Sequence, residues 1–236
     1  MKELNKTYVD TSRISIRLTS KDNVVHFIEN NHYAKVWTAA SLIFGIYYDT
    51  KQSHQFFNCN ESELIGCVLY GNPVGFRVVK SISEELQTNN VLELKRLWIK
   101  DGYGTNIESY VISQTIKYIK AECNDVKVLI SYADPSVGHI GGIYRATNWL
   151  FQGNEIGSGD AYMFRYPNTT KWISDRAIGE QLGTNSLSKV LKLVPDMEYK
   201  RKLRKNRYIY FTCSKSEKKK LLKGLKHPIL EYERAQ

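Results

Sequence analysis

Two short segments of the sequence carry side chains that can perform chemistry. The first is Asn31-His32-Tyr33, which closes a predicted helix. The second spans residues 131–153, in which Asp134, His139 and Tyr144 follow a predicted strand. An imidazole, a carboxylate and phenols can bind a hard or borderline metal ion, and they can equally form an acid–base relay.

Each of these side chains also has a structural explanation. Asp134 can cap a helix, His139 can be a hydrogen-bonded structural histidine, and Tyr144 can lie in the core. His32 can be a helix-end residue, because cations are favoured at that end. The second segment also contains glycines that would let backbone amides approach a ligand without a Cβ in the way, namely Gly138, Gly141 and Gly142.

A third candidate is the charged run Glu93-Leu94-Lys95-Arg96-Leu97-Trp98, inside a predicted strand. A charge within a central strand requires a partner or a ligand. The run is therefore either a satisfied ion pair near the edge of the sheet or part of a binding site. We count Arg96, together with His139 and Trp149, as candidate substrate-binding residues, although Trp149 also fits a place in the core.

Alternation and helical periodicity predict the elements that must position these residues. Strands are predicted over residues 12–18, 42–48, 63–70, 91–100, 126–132, 149–152, 161–166 and 207–213. Helices are predicted over residues 21–31 behind Ser20, over 107–121 behind Asn106, and from Pro135 to about residue 147 behind Asp134. The segment 49–62 is polar and is expected to be a loop.

This order of elements predicts an α/β fold that resembles the acetyltransferase (GNAT) type: a mixed central sheet with helices on both faces. Residues 1–194 are expected to form this domain, and residues 195–236 a basic C-terminal segment packed on it or extending from it. In such sheets a ligand lies beyond the carboxyl ends of the strands at a switch point. Here those ends fall near Ile99–Asp101 and Tyr132–Asp134.

The charge of the protein is unevenly distributed. There are 34 Lys and Arg against 24 Asp and Glu, a net charge of +10. Residues 195–236 hold 13 Lys and Arg against 5 Asp and Glu, which leaves only about +2 for the other 194 residues. The basic end predicts a polyanionic partner, the alternative being a solvated charged surface. We count Lys218, Lys219 and Lys220 as candidate contacts with that partner.

Cysteine spacing and hydropathy predict a protein of the cytoplasm. The four cysteines, at positions 59, 67, 123 and 213, form no CxxC pair and no zinc-ligand pattern, so reduced thiols are expected. The N-terminal residues lack the apolar region of a signal peptide, and no apolar run approaches the roughly 18 residues of a membrane helix.

Several motifs, taken together, resemble the bacteriophage Mom family. They are NHYAK at 31–35, LIGCVLYGNP at 64–73, ELKRLWIKD at 93–101, NIESYVISQTIKYIK at 106–120, YADPSVGHIGGIYRATNWLFQG at 132–153 and KNRYIYF at 205–211. The resemblance spans roughly His32 to Pro228, and its most specific part is the string in residues 132–153.

The resemblance implies a DNA-modifying transferase. Mom proteins convert adenine in phage DNA to its N6-methylcarbamoyl form, which shields the DNA from host restriction nucleases. The family's functional residues correspond to His32, Tyr33, Asp134 and Tyr144, and the same four are implied as ligands of a divalent metal, iron. The implied partner is double-stranded DNA in the host bacterial cytoplasm. An adenine flipped out of the duplex would need aromatic walls, for which the candidates are Trp37, Tyr132, Tyr144 and Trp149.

Two other functions remain open at this point. One is coenzyme A-dependent N-acetylation of a small amine or peptide. For this the turn Ile99–Gly104 supplies Gly102 and Gly104, but Ile99 and Asp101 depart from the usual anion-binding motif, so acetyl-CoA is possible without a complete motif. The other is a non-catalytic DNA-binding accessory protein that retains the fold.

Overall fold

The computed structural model describes residues 8–50, 62–154 and 161–232. Its strands are β1 (Ile14–Leu18), β2 (Leu42–Asp49), β3 (Ser62–Gly71), β4 (Val91–Ile99), β5 (Val128–Ala133), β6 (Leu150–Phe151), β7 (Tyr162–Arg165), β8 (Ile173–Ser174), β9 (Glu198–Arg201) and β10 (Asn206–Phe211). Its helices are α1 (Lys21–Asn30), α2 (Phe76–Lys80), α3 (Ile107–Glu122), α4 (Gly142–Ala146), α5 (Asp175–Leu182), α6 (Leu187–Leu193) and α7 (Lys215–Lys223). Cys59 and most of the predicted loop 49–62 lie outside the described residues.

Seven strands form the central sheet in the order β1-β2-β3-β4-β5-β10-β6. All neighbouring pairs are antiparallel except β4 and β5, which are parallel and pair only from Val91–Leu94 to Val128–Ser131. Beyond that point β4 stays with β3 as far as Ile99, so β4 and β5 separate. Gly66 permits this close approach of β3, because a Cβ there would lie 2.4 Å from the carbonyl oxygen of Trp98.

Helices cover both faces of the sheet, as predicted. On one face α3 and α4 pack on apolar residues that include Leu92, Leu129 and Tyr208. On the other, α1 packs on β3, while α2 and α7 pack on the side chains of Val128 and Ile209. The predicted mixed α/β architecture of acetyltransferase type is therefore confirmed.

The chain after residue 160 departs from the prediction. The predicted strand 161–166 is β7, which belongs to a separate three-stranded sheet of order β8-β7-β9 and not to the central sheet. With α5 and α6 this small sheet encloses its own apolar cluster of Phe164, Ile178, Val190 and Met197. The central sheet is instead completed by β10, which pairs with both β5 and β6. Residues 195–236, predicted as a basic segment packed on the domain or extending from it, thus supply an interior strand of the central sheet.

The predicted helix from Pro135 to residue 147 is also interrupted. Only a single 3-10 turn, Pro135–Val137, follows Asp134, and α4 begins at Gly142. Gly138 and Gly141 take positive φ angles of 78° and 89°. Glycine adopts this left-handed conformation without steric cost, so the chain leaves the helix there and forms a loop at the end of β5.

We expect β10 to contribute to the main folding unit. Ile209 is fully buried beside Ile130, so Ile209→Ala should lower the free energy of unfolding by about 2–5 kcal/mol. The matched control is Leu193→Ala on α6, where the side chain is 59% exposed and the change should stay within about 0.5 kcal/mol. Urea unfolding measures both, and equal effects would mean that β10 is not part of the cooperative core.

Candidate active site

A cavity of about 580 Å³ opens where β4 and β5 separate. It is the place at which an α/β sheet binds ligands, beyond the carboxyl ends of its parallel strands. Its walls come from the chain after α1, the diverging halves of β4 and β5, the 138–141 loop and α4, and the polar and aromatic side chains among them include His32, Tyr33, Arg96, Tyr132, His139 and Tyr144.

His32 lies in this wall and is only 6% exposed. Its Nδ1 accepts a hydrogen bond from the backbone N–H of Ala34 at 3.0 Å. Burial lowers the pKa of His32 to about 4, and the nearby charges of Arg96, His139 and Lys205 act in the same direction. The imidazole is therefore neutral at pH 7. Since Nδ1 is an acceptor, the ring proton resides on Nε2, which makes His32 a hydrogen-bond donor at that atom.

Tyr33 and His139 form the exposed rim of the cavity. The ring of Tyr33 lies 4.3 Å from that of His32 and 5.1 Å from that of His139, which it meets edge-on. Burial and the charge of Asp134 raise the pKa of Tyr33, so its phenol stays protonated at neutral pH. His139 is more than 100 residues from His32 and Tyr33 along the chain, and the fold brings it to them.

Tyr144 is buried behind the rim and is held by a chain of hydrogen bonds. The hydroxyl of Ser131 donates to the carbonyl oxygen of Leu94 at 2.9 Å, which uses its single proton. The hydroxyl of Tyr144, 2.7 Å from that of Ser131, must then be the donor between the two. Burial raises the pKa of Tyr144 to about 12. This chain links α4 to both parallel strands at the point where they part.

Asp134 lies beside the cavity but does not line it. Its Oδ1 accepts hydrogen bonds from the backbone N–H and the hydroxyl of Ser136, which is the helix-cap geometry. Its Oδ2 is 3.4 Å from Nζ of Lys205. Burial acts to raise the pKa of Asp134, but the hydrogen bonds from Ser136 and the charge of Lys205 outweigh it and the net shift is downward. The group is therefore a carboxylate at neutral pH.

The other predicted site residues divide into two groups. Arg96 and His139 line the cavity, whereas Trp149 is 5% exposed and packs on the ring of Tyr144 at 5.2 Å. Trp37 packs with the apolar residues between α1 and β3. Of the four predicted aromatic walls, Tyr132 and Tyr144 line the cavity.

The predicted contacts Lys218, Lys219 and Lys220 lie on α7, away from the cavity. Glu217 of the same helix pairs with Lys127, the residue before β5, and Lys220 pairs with Glu85, which precedes β4. These pairs place the lysines at the amino ends of the parallel strands, whereas the cavity is at their carboxyl ends.

Three residues of the site were missed by the sequence analysis. Lys205 reaches Asp134 from the segment before β10, Glu108 lines the cavity from the start of α3, and Tyr208 supports the 138–141 loop. The hydroxyl of Tyr208 donates to the carbonyl oxygen of Ile140 at 2.7 Å, and Tyr232 donates to the same oxygen. Spacing along the chain gives no signal for the contacts of Lys205 and Tyr208, because they depend on where β10 enters the sheet.

The side chains implied for a metal do not fit one as they are placed. Among residues 8–50, 62–154 and 161–232 no three His, Cys, Asp or Glu side chains gather into a metal-binding group. The Nδ1 atom of His32, the carboxylate of Asp134 and the hydroxyl of Tyr144 each have another partner. Iron therefore stays a prediction of the resemblance, and metal analysis of protein purified without chelator is its test.

The two glycines of the turn before α3 have different surroundings, since nothing lies within 4 Å of a Cβ on Gly102. Gly104 packs against the backbone of the N-terminal segment, where a Cβ would lie 2.6 Å from the nitrogen of Val9. Val9 donates from that nitrogen to the carbonyl oxygen of Thr105. The chain itself thus covers the turn at Gly104, and Asp101 and Glu108 place negative charge beside it.

A splayed α/β sheet with a polar cavity at its switch point defines an acetyltransferase-like α/β protein. The chain belongs to the Mom protein family, whose model matches residues 13–233. A curated relative, the "Methylcarbamoylase mom" of Escherichia phage Mu, is 29% identical over 92 residues, which are 39% of this chain and 38% of the relative.

Solved structures with a similar fold include a spermidine N-acetyltransferase from Vibrio cholerae and a GNAT-family acetyltransferase from Bacillus anthracis. The first is 10% identical with a TM-score of 0.46 and covers 85% of this chain and 96% of its own. The second is 11% identical with a TM-score of 0.44 and covers 88% and 98%. In the described part of this chain no helix has the length and apolar character needed to cross a membrane.

The 138–141 loop offers a matched test of how the site is supported. A Cβ on Gly141 would lie 2.3 Å from the hydroxyl oxygen of Tyr208, whereas one on Gly138 would meet nothing within 4 Å. Both residues have positive φ, so Gly138→Ala should cost about 1–2 kcal/mol from backbone strain alone. Gly141→Ala should cost clearly more, because Tyr208 must also move. Urea unfolding of the pair would contradict this if the losses were equal.

The buried neutral state of His32 predicts a pH dependence of stability. In the unfolded chain a histidine titrates near pH 6.5, whereas His32 in the fold titrates near 4. Between these values the unfolded state binds more protons, so stability falls as the pH drops through this window, by at most about 1.4 kcal/mol per pH unit.

The variant His32→Gln removes that titration, and its unfolding free energy should depend less on pH between about 4.5 and 6.5 than that of the wild type. The exposed histidine on α1 supplies the control His26→Gln, which should follow the wild type. Parallel pH curves for wild type and His32→Gln would show that His32 is not buried in its neutral form.

Proposed function

We propose that the protein is a phage DNA-modifying transferase that adds a methylcarbamoyl-type group to N6 of adenine, protecting the DNA from host restriction nucleases inside the bacterial cytoplasm. The observation that carries this proposal is the Mom family match over residues 13–233. The relative from phage Mu, which bears the name methylcarbamoylase, agrees with it. The substrate under this proposal is adenine within double-stranded DNA.

The cavity supports base modification by its form and its side chains. An adenine within a duplex must leave the base stack to reach a pocket, and a volume of about 580 Å³ has room for a base and a small transferred group. The half-exposed ring of Tyr33 at the rim can stack on an extruded base.

The side chains of the site suggest distinct tasks in acyl transfer. Nε2–H of His32 is a donor in a buried wall, and a donor of this kind stabilises the negative charge that develops on a carbonyl oxygen in the transition state. The guanidinium of Arg96 lines the same cavity and can act on the same charge. Tyr144 and Ser131 hold the cavity floor through the carbonyl of Leu94. Asp134 holds the turn at Ser136 and pairs with Lys205.

Nucleoside mass spectrometry of plasmid DNA from cells that express the protein tests this function. The wild type should yield a new adenosine adduct, and His32→Ala should abolish it, because the donor in the cavity wall is lost. His26→Ala, a change on the exposed face of α1, should leave the adduct in place. Unmodified DNA with tight, salt-sensitive binding would indicate an accessory protein, and calorimetric binding of coenzyme A would indicate an acetyltransferase.

Two variants of Asp134 separate its charge from its capping role. Asp134→Asn keeps a side-chain oxygen for the N–H of Ser136, and asparagine is as good a cap as aspartate. Asp134→Ala loses the cap and should unfold about 0.5–2 kcal/mol more easily. We expect both to lose the adenosine adduct, while only Asp134→Ala has a lowered melting temperature. An active Asp134→Asn would show that the carboxylate serves only as a cap.

A further inference from the structure

A strongly basic segment runs from the small sheet to the cavity. Of the seven residues Tyr199–Lys205, five are Lys or Arg and none is acidic. Within the described residues, the strand β9 that begins this segment is an edge strand paired only with β7, and all four of its residues are exposed. Its outer edge therefore faces solvent, and not a neighbouring strand.

The segment ends at the cavity. Lys205 directly precedes β10, whose first residue, Asn206, pairs with Ala133 of the cavity wall. Nζ of Lys205 lies 3.4 Å from the carboxylate of Asp134, and its charge contributes to lowering the pKa of His32. A ligand in the cavity would thus have a cationic path leading away from it.

The dimensions of the segment match those of a nucleic acid strand. At full extension seven residues span at most roughly 20 Å, and a DNA strand carries one phosphate per 3.4 Å of rise, so up to about six phosphates fall within this length. Two exposed apolar side chains stand among the cations, Tyr199 at 50% and Leu203 at 61% exposure. They offer surface to the sugars between phosphates.

The described partners of Lys200 and Lys202 hold these cations weakly. Lys202 is 3.9 Å from Asp175, at the limit of an ion pair between partly exposed groups, and Lys200 stands over the ring of Trp172 at 4.4 Å. Exposed contacts of this kind are weak, so Lys200 and Lys202 can turn to phosphates.

The other basic stretch of the chain, α7, has a different location. It has five lysines in nine residues, but Phe211, which precedes it, pairs with Val128 at the start of β5. The cavity is at the opposite end of β5, roughly 17 Å away at the rise of a six-residue strand. A duplex with its adenine in the cavity would lie beside Tyr199–Lys205 and not beside α7.

We propose that the segment Tyr199–Lys205 binds the phosphate backbone of the DNA strand that flanks the modified adenine. The inference rests on the proposed function, because it requires DNA as the substrate, and it adds the surface that holds the duplex. Phosphate contacts of this kind position the DNA without selecting its sequence.

Two triple variants that remove the same charge test this surface. The first is Lys200→Gln, Lys202→Gln and Arg204→Gln in one chain, and the matched control is Lys218→Gln, Lys219→Gln and Lys220→Gln on α7. The affinity for a fluorescent duplex is measured by anisotropy across a range of salt concentrations. Each lost phosphate contact reduces the slope of log K against log salt by about 0.9. The triple variant of Lys200, Lys202 and Arg204 should therefore reduce the magnitude of this slope by about 2–3, and the α7 triple should leave the slope unchanged.

The outcomes separate this proposal from the proposed function. Suppose that the wild type forms the adenosine adduct. If the salt slope is then flattened in the α7 triple alone, or in neither triple, the basic segment is not the DNA surface. A wild type that neither binds the duplex nor forms the adduct would overturn the proposed function itself. If the first triple melts well below the wild type, the single variants Lys200→Gln and Arg204→Gln decide the matter, each with an expected slope change of about 0.9.

Discussion

The hydroxyl of Ser131 bonds to the carbonyl oxygen of Leu94 at the last point where β4 and β5 are paired, and the site depends on this contact. Beyond it the two parallel strands have no shared hydrogen bonds, and the gap between them becomes the cavity. The same hydroxyl accepts from Tyr144 and so fixes the position of α4. One small polar side chain therefore sets both the width of the opening and the depth of its floor.

Burial and nearby positive charge define the chemistry that this opening can support. His32 sits near Arg96 and Lys205 in a poorly hydrated wall, which keeps its imidazole neutral, while Asp134 keeps its charge because Ser136 and Lys205 bind it. His32 and Arg96 present a donor and a cation on one side of the cavity, whereas Asp101 and Glu108 add negative charge to its lining. The side formed by His32 and Arg96 suits a group that develops negative charge during reaction.

Strand β10 connects the site to the remainder of the fold. Its Arg207 is 1% exposed and binds the side chains of Gln152 and Ser81, which ties β10 to the chain after β6 and to the end of α2. Tyr208, on the opposite face, holds the 138–141 loop. The strand follows Lys205 directly, so the placement of the basic segment beside the cavity is a consequence of where β10 inserts.

The sequence by itself determined the family and most strands of the central sheet. Apolar alternation identified the strands from β1 to β5, the periodicity of residues 107–121 identified α3, and the motifs around His32 and Asp134 identified the region of the site. These features are local, since each depends on side chains a few residues apart. Gly138 and Gly141 were recognised as permissive positions, but the loop they form in place of a helix was not predicted.

Only the tertiary structure decided which strand completes the central sheet and which lysine reaches the site, Lys205 and not Lys218. It also decided that Asp134 borders the cavity as a cap and that Trp149 supports Tyr144 from the core. The segments at 128–133 and 206–211 read as similar apolar strands, and no pattern within either of them specifies its neighbour. Strand pairing between distant segments is selected by the packing of the whole core, because the free energy of each pairing depends on the surface that all the other elements leave exposed.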